Sequence, residues 1–455
     1  MTVAEVLSNS DAFMWRNERD PRLRSTIVTL ILLDRCPDWH QLVDRFERLS
    51  RTVPRFRQRV IPSTPFVPPR WDYVSDFDLG FHLRRVTAPE PGSIDALLEL
   101  ARVAAMADFD RARPLWEATL VDGLSDGGAA VLVKFNHALT DGVGAVEMAR
   151  ILYDPTEFAD RAAHEPKPPE PTGQSRLGAL RDVVEYQTGL IGAAMATPLK
   201  AAPAVLRAMR RPLDAVAGGW STATSILRTA RPVSKPRSPI MVDRSLIRHV
   251  YVHELPKSAL RRAGHLAGGS LNDAFVAAVA GGLRAYHVKH NAPVDELMLS
   301  MPINLRTEAD PMGGNRATLI RFDIPVGIAD PVERIRVVRD RTDKARNEKS
   351  LAHTELIAGA LNLMPRSYVG SAMRNVDLIA SNVPGFPEPV AFAGAPVRMQ
   401  YAFSPTLGAA LNVTLLSHVD TCALGINADG AAVPDHDVLF DCLTAGFDEV
   451  LALAR

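Results

Sequence analysis

The run Asn136-His137-Ala138-Leu139-Thr140-Asp141-Gly142 brings together the residue types that proton transfer near neutral pH requires. A neutral imidazole lowers the barrier when an uncharged alcohol must shed its proton while attacking a carbonyl carbon. Where that carbonyl belongs to an activated thioester, one base and an oxyanion stabiliser suffice without a serine or cysteine nucleophile. The chain has no Gly-x-Ser-x-Gly elbow. Its glycine pairs at 268–269, 281–282 and 313–314 lack the spacing and the lysine of a phosphate loop. Asp141 stands four positions after His137; on a loop that leaves helical geometry its carboxylate points away from the ring. It is then better placed to hold an arginine than to orient the base, and Arg306, just after Met301-Pro302-Ile303-Asn304-Leu305, is the candidate partner. A histidine in such a place, taken by itself, is more often structural than catalytic.

The elements that must position these groups are legible in the hydrophobic pattern. Val131 to Phe135 reads as a largely buried strand, and Val143, Val146, Met148, Ala149, Ile151 and Leu152 fall on one side of a helix beginning near Gly142. Earlier, Ser25 to Leu33 reads as a strand, and Trp39 to Arg51 and Ile94 to Met106 as helices. Beyond residue 240 the spacing predicts strands at 247–252, 298–303, 317–324, 376–380, 410–416 and 421–426, with helices at 271–286 and 437–453. No repeat is detectable between the halves, and the second half has no counterpart of the histidine run.

Length and charge bound the rest. A chain of 455 residues exceeds one ordinary core, so two α/β units are expected. With 52 basic and 52 acidic side chains there is no overall field for nucleic acid. Cys36, Cys422 and Cys442 are odd in number and widely separated, which predicts neither a disulfide framework nor a metal site and fits a reducing cytosol. Residues 1–15 carry Glu5 and Asp11 and lack a secretory layout, and the apolar stretches are too short to cross a bilayer. Four prolines within residues 165–173 mark a boundary. Residues 176–237 then hold ten basic against three acidic side chains, which suits either a cationic helix lying on an anionic lipid surface or a solvated helical crossover.

Leu7 to Phe13, Pro114-Leu115-Trp116, the histidine run, Asn272-Asp273 and Ser381-Asn382-Val383-Pro384-Gly385 stand in that order along the chain, and together they resemble the bacterial wax ester synthase/diacylglycerol acyltransferase family of the CoA-dependent acyltransferase superfamily. Leu7 to Phe13 is similar to its opening segment, and Pro114-Leu115-Trp116 to its Pro-Leu-Trp motif. The histidine run resembles its His-His-x-x-x-Asp-Gly signature, Asn272-Asp273 its Asn-Asp motif, and Ser381-Asn382-Val383-Pro384-Gly385 its late loop. Singly these are weak, since a tryptophan packs well anywhere, Asn272 or Ser270 reads as a helix cap, and Ser381 to Gly385 as a turn. Their joint order spans nearly the whole chain.

The resemblance implies an α/β fold of two chloramphenicol-acetyltransferase-like subdomains, 1–160 and 241–455, joined by a helical crossover over 161–240, with the active-site channel between them. It implies a long-chain O-acyltransferase that uses acyl-CoA as co-substrate, with no cofactor and no metal, and makes triacylglycerol from diacylglycerol, wax ester from long-chain alcohols, or both. Carried over, His137 is the general base, Asp141 the structural carboxylate and Gly142 the residue that permits the turn. Asn272, beside Asp273, supports the reacting groups; Pro114, Leu115 and Trp116 shape the channel; and Ser381, Asn382, Pro384 and Gly385 border the acyl-CoA site. A cytoplasmic protein is implied, with peripheral attachment to the inner membrane or to lipid droplets through residues 176–237. One departure stands out: the family's first histidine is Asn136 here. Asn can donate and accept hydrogen bonds but cannot titrate near neutral pH. Two alternatives share the scaffold, a condensation-type or natural-product acyltransferase fed by a carrier protein and a catalytically weak lipid-binding protein.

Overall fold

The computed structural model describes residues 5–62, 69–154, 235–304, 317–347 and 375–455, together with 358, 362, 370 and 373. Its first part runs α1 (Asn9–Asn17), β1 (Thr26–Leu33), α2 (Trp39–Thr52), β2 (Gln58–Ile61), β3 (Arg70–Tyr73), α3 (Leu79–His82), β4 (Leu83–Thr87), α4 (Ile94–Met106), β5 (Trp116–Asp122), β6 (Ala129–Asn136) and α5 (Gly142–Leu152). The second part runs β7 (Arg248–Pro256), α6 (Lys257–Leu266), α7 (Leu271–Lys289), β8 (Glu296–Asn304), β9 (Ala317–Pro325), α8 (Pro331–Arg346), β10 (Leu378–Val383), β11 (Ala391–Phe392), β12 (Ala395–Phe403), β13 (Leu411–His418), β14 (Thr421–Asp429) and α9 (His436–Ala452). The expected α/β architecture is present, as two sheet-rich halves.

Each half is built on a six-stranded sheet, in the order β11-β12-β1-β6-β5-β4 and β7-β14-β13-β10-β8-β9. The first sheet takes a strand from beyond residue 241. β12 lies among the late strands of the sequence, yet it pairs antiparallel with β1, Val28 opposite Phe403 and Leu32 opposite Met399. Residues 391–403 therefore complete the first sheet, a non-local pairing that alternation within either segment cannot announce. The histidine strand β6 is central, bonded to β1 on one side and β5 on the other. All eight of its residues are buried. That burial explains why the segment reads as a continuous apolar run rather than an alternating one.

The two faces of the first sheet differ in cover. Ile27, Ile31, Val131, Val133 and Phe135 pack with residues of α2 and α5. On the other face, Val28, Leu30, Ala130 and Leu132 pack with α4 and reach Val250, Val252 and Ala423 of the second sheet. Helices α6, α7, α8 and α9 cover the second sheet, with Arg334 of α8 buried and donating to Glu449 and to the Ala277 carbonyl (2.8 Å). Among the described residues no single helix is long and apolar enough to cross a membrane; the bent pair α6 and α7 passes by length and composition only, and α7 is mostly buried. The proline-rich boundary and most of the basic stretch fall outside the described residues; of that stretch, Arg237 is held by Asp323 (2.6 Å).

Trp116 anchors the first core. Its ring is fully buried and stacks on His82 (4.7 Å between centroids) and Phe46 (5.7 Å), while its indole N–H donates to the Phe56 carbonyl (2.9 Å). Replacement of Trp116 by Ala leaves a cavity and an unpaired carbonyl, which predicts about 3–5 kcal/mol of lost stability in urea unfolding. Trp116→Phe should lose markedly less.

Candidate active site

The loop that carries His137 is pinned from three directions. The His137 main-chain N–H donates to the Ser25 carbonyl (2.9 Å), the Asn136 N–H to the Leu115 carbonyl (3.0 Å), and the Leu139 N–H back to the Asn136 carbonyl (2.9 Å). Asn136 itself is fully buried and uses both ends of its amide: Nδ2 donates to Glu18 Oε2 (2.9 Å) and Oδ1 accepts from the Ala138 N–H (2.9 Å). Glu18, at the end of α1 and 1% exposed, also accepts from the Ser25 N–H (2.9 Å), the Ser25 hydroxyl (2.9 Å) and the Thr26 hydroxyl (3.3 Å). A buried carboxylate is tolerable only when its lone pairs are filled in this way. Four donors, two from Ser25 and one each from β1 and β6, thus converge on the side chain that caps the end of α1.

The His137 ring is half-buried and hydrogen-bonded to its own backbone. Desolvation holds its pKa below the ordinary histidine value, against smaller upward effects from that hydrogen bond and from the Asp141 charge. The ring is therefore neutral at pH 7. One nitrogen is committed as a donor to the main chain, so the other carries the lone pair that a base needs.

Asp141 is buried and caps α5, its carboxylate accepting from the Gly144 N–H (2.8 Å). The partner expected for it, Arg306, lies outside the described residues. Gly142 corrects one expectation. It has no positive φ, so the turn does not demand it; a Cβ there would come within 3.0 Å of Val383 Cγ2. The glycine is thus a close-approach residue that brings the histidine loop of the first half against the Ser381–Gly385 segment of the second. Within that segment Ser381 to Val383 is strand, paired in parallel with Thr414 to Leu416, and not a turn. Gly385 follows where a Cβ would stand 2.0 Å from the Ser417 carbonyl oxygen. Pro384 is exposed between them.

Asn272 occupies the first turn of α7, whose cap is Ser270. Asp273 closes a capping box, accepting from both the N–H and the hydroxyl of Ser270 (2.7 Å each). Asn272 is left to accept from Asn382 Nδ2 (3.4 Å) and to donate to the Met301 sulfur (3.7 Å), so the Asn-Asp and late motifs meet. Pro114, Leu115 and Trp116 are buried. They are not among the lining residues of the apolar cleft next to the histidine loop, and β5, which begins at Trp116, pairs with the histidine strand β6.

That cleft has a volume of about 110 Å³ and runs along α5, lined by Leu139, Thr140, Gly142 and Tyr153, with Ile27 of β1 and Phe386. Its walls are almost wholly apolar. Two of its lining residues form a buried polar pair, the Tyr153 hydroxyl donating to Gln400 Oε1 (2.7 Å). Burial raises the Tyr153 pKa, so the hydroxyl stays protonated. Sequence reading missed Glu18, this cleft and its polar pair. Glu18 carries no motif, and its role exists only once α1, β1 and β6 are brought together.

Comparison with known proteins decides the family. The wax ester synthase/diacylglycerol acyltransferase catalytic domain matches residues 7–275, and the C-terminal domain of the same family matches residues 313–450. The chain belongs to the wax ester synthase/diacylglycerol acyltransferase family. A putative diacylglycerol O-acyltransferase of Mycobacterium tuberculosis is 37% identical over 99% of this chain and 93% of that protein. A second from that organism is 30% identical, covering 80% of each. Among solved structures, the wax ester synthase/diacylglycerol acyltransferase of Marinobacter aquaeolei VT8 superposes with a TM-score of 0.68 at 21% identity, over 99% of both chains. The first condensation domain of the calcium-dependent antibiotic synthetase gives 0.64 at 14% identity, covering 100% of this chain and 96% of that one, a likeness of fold. This family member is an acyltransferase.

The geometry also accounts for asparagine in place of the family's first histidine. A neutral imidazole at 136 could donate to Glu18 and accept from Ala138 with its two nitrogens, the same pair of bonds the amide makes. Asn136→His is therefore predicted to change kcat by well under a hundredfold, about 2.7 kcal/mol of barrier. Asn136→Leu, which removes one of the four donors to Glu18 and leaves the Ala138 N–H unpaired, should cost about 1–3 kcal/mol of stability in denaturant titration.

Proposed function

We propose that the protein transfers a long-chain acyl group from acyl-CoA to the hydroxyl of diacylglycerol or of a long-chain alcohol, giving triacylglycerol or wax ester, with His137 as general base. The alcohol oxygen forms a bond to the thioester carbon as its proton passes to the imidazole. The tetrahedral oxyanion then collapses, the C–S bond breaks, and the thiolate of CoA takes the proton back from the imidazolium. The observation that carries this reading is a desolvated, neutral His137 on the loop that opens the long apolar cleft. A ring kept neutral by burial is a competent acceptor at pH 7, and the apolar walls suit a hydrocarbon chain.

No covalent acyl-enzyme is included. Burial pushes the Cys422 thiol up to about 11 and raises Cys442 as well, opposite to what activates a thiol nucleophile. Asn272, paired with Asn382 where the late segment meets the histidine loop, is assigned to polarise the reacting groups or the oxyanion. Acyl-CoA is the only other small molecule the proposal requires, and peripheral contact with a lipid surface is assigned to residues 176–237.

The test is incubation of the purified protein with palmitoyl-CoA and competing hexadecanol and diacylglycerol, followed through CoA release and lipid analysis. His137→Ala should lower kcat by about 10²–10⁴-fold with KM little changed. Retained turnover in that variant would refute the base assignment.

A further inference from the structure

The second sheet turns one face to its helices and the other to the first half. Leu299 of β8, Ile320 of β9 and Ala380 of β10 belong to the helix-covered core, so by strand alternation Ser300, Arg321 and Ile379 face the other way. Val383 of β10, which Gly142 of the histidine loop approaches, lies on that same face. Ile379 shares an apolar cluster there with Leu23 and with Phe13 and Met14 of α1.

Ser300 and Arg321 are direct partners in the β8–β9 register, which sets their Cβ atoms about 5 Å apart. Ser300 is 3% exposed, and its hydroxyl has no hydrogen-bond partner. Arg321 is half-buried and makes no ion pair or hydrogen bond among the described residues; burial alone holds its pKa below the ordinary arginine value, with no charge near enough to oppose it. The one acid of its strand, Asp323, is held by Arg237 (2.6 Å). A desolvated cation without a partner weakens the fold that carries it, so an arginine kept for folding is normally paired. This guanidinium, beside an unpaired hydroxyl, is arranged for an anion that arrives with a ligand.

The donor set indicates which anion. One guanidinium and one hydroxyl, with no second cation near enough to register, match the two oxygens of a carboxylate, whereas a phosphate or diphosphate calls for more positive charge. Arg321 stands two strands across and four residues along from Val383, roughly 16 Å away. An extended chain advances about 1.2 Å per bond, so the carboxylate sits about a dozen bonds from the reacting end. We infer that Arg321 and Ser300 hold the carboxylate of a long-chain hydroxy acid whose hydroxyl is the acceptor at His137. The carboxylate takes no part in the transfer: the hydroxyl oxygen bonds to the acyl carbon, CoA leaves as the thiol, and the product is an acylated hydroxy acid. This inference rests on the acyl-transfer reading above and adds a class of acceptor to it.

The test assays the full-length protein with palmitoyl-CoA and three acceptors, ω-hydroxyhexadecanoate, its methyl ester and hexadecanol, and measures binding of the hydroxy acid separately by calorimetry. The wild type should prefer the free acid to its methyl ester roughly tenfold in kcat/KM, carried by KM, and Arg321→Leu should bring that ratio to about one and weaken acid binding in parallel. Arg321→Lys and Ser300→Ala should each keep part of the preference. In urea, Arg321→Leu should unfold at a higher midpoint than the wild type, because it removes an unpaired desolvated cation. A lower midpoint together with equal losses on all three acceptors would mark a structural arginine and overturn the inference. Equal kcat/KM for acid and ester in the wild type would also overturn it, as would acid binding that does not depend on Arg321. Arg321-dependent binding of the acid by a wild-type protein that acylates none of the three acceptors would sustain the site and remove the proposed function instead.

Discussion

Everything around the proposed base depends on one buried carboxylate. Glu18 gathers two bonds from Ser25, one from Thr26 and one from Asn136, and in doing so fixes the end of α1, the start of β1 and the end of β6 relative to one another. A buried acid that lost these donors would be far costlier than an apolar residue in its place, so the network is all or nothing. Because the Asn136 amide belongs to it and also caps the Ala138 N–H, His137 leaves the strand along a single path. The Ser25 carbonyl then takes the His137 N–H, and the same residue that serves Glu18 also serves His137. The proposed general-base chemistry needs a ring held within hydrogen-bond reach of the attacking hydroxyl, and this knot fixes the backbone on which the ring sits.

The two halves contribute unequal things to the site. The first supplies the histidine loop, the capped helix α5 and the floor of the apolar cleft. The second supplies Asn272 and the Ser381–Gly385 segment, delivered by β10 and locked by two close approaches, Gly142 on Val383 and Gly385 on the Ser417 carbonyl. The late strand β12 fastens the halves further, pairing with β1 while Met399, Tyr401 and Phe403 share a core with Ala423 of the second sheet. Of these two, the Gly142–Val383 approach crosses between the halves, while the Gly385–Ser417 approach seats the segment on its own sheet, and bare backbone stands at both contacts.

Much of this was legible in the residues. The α4 segment, Ile94 to Met106, starts and ends where its periodicity places it, with Ser93 capping, and β6, β9 and α7 are announced by apolar runs of strand or helix length. The motif positions were legible as a set, since their order survives even where each alone is ambiguous. Non-local relations were not. Nothing in Ala395 to Phe403 says that it pairs with a strand some 370 residues earlier, nothing in Glu18 says that four donors await it, and Trp116 has the look of a channel aromatic until its stack with His82 and Phe46 is seen. Gly142 reads as a turn glycine for the same reason, because the side chain it must avoid lies 241 positions away at Val383. Local pattern encodes elements; the site arises from contacts between elements, which pattern does not carry.

The central claim is that His137 is a desolvated imidazole, neutral at working pH. The folded-state pKa is depressed, so the folded protein binds fewer protons than the unfolded chain below the ordinary histidine value, and this group's contribution to stability is lost as pH falls through that range. Titration of the His137 ring proton by NMR, assigned with His137→Gln, measures it directly. The account predicts an apparent pKa below about 6.5; a value above about 7, with the ring cationic when the enzyme is at work, would contradict it.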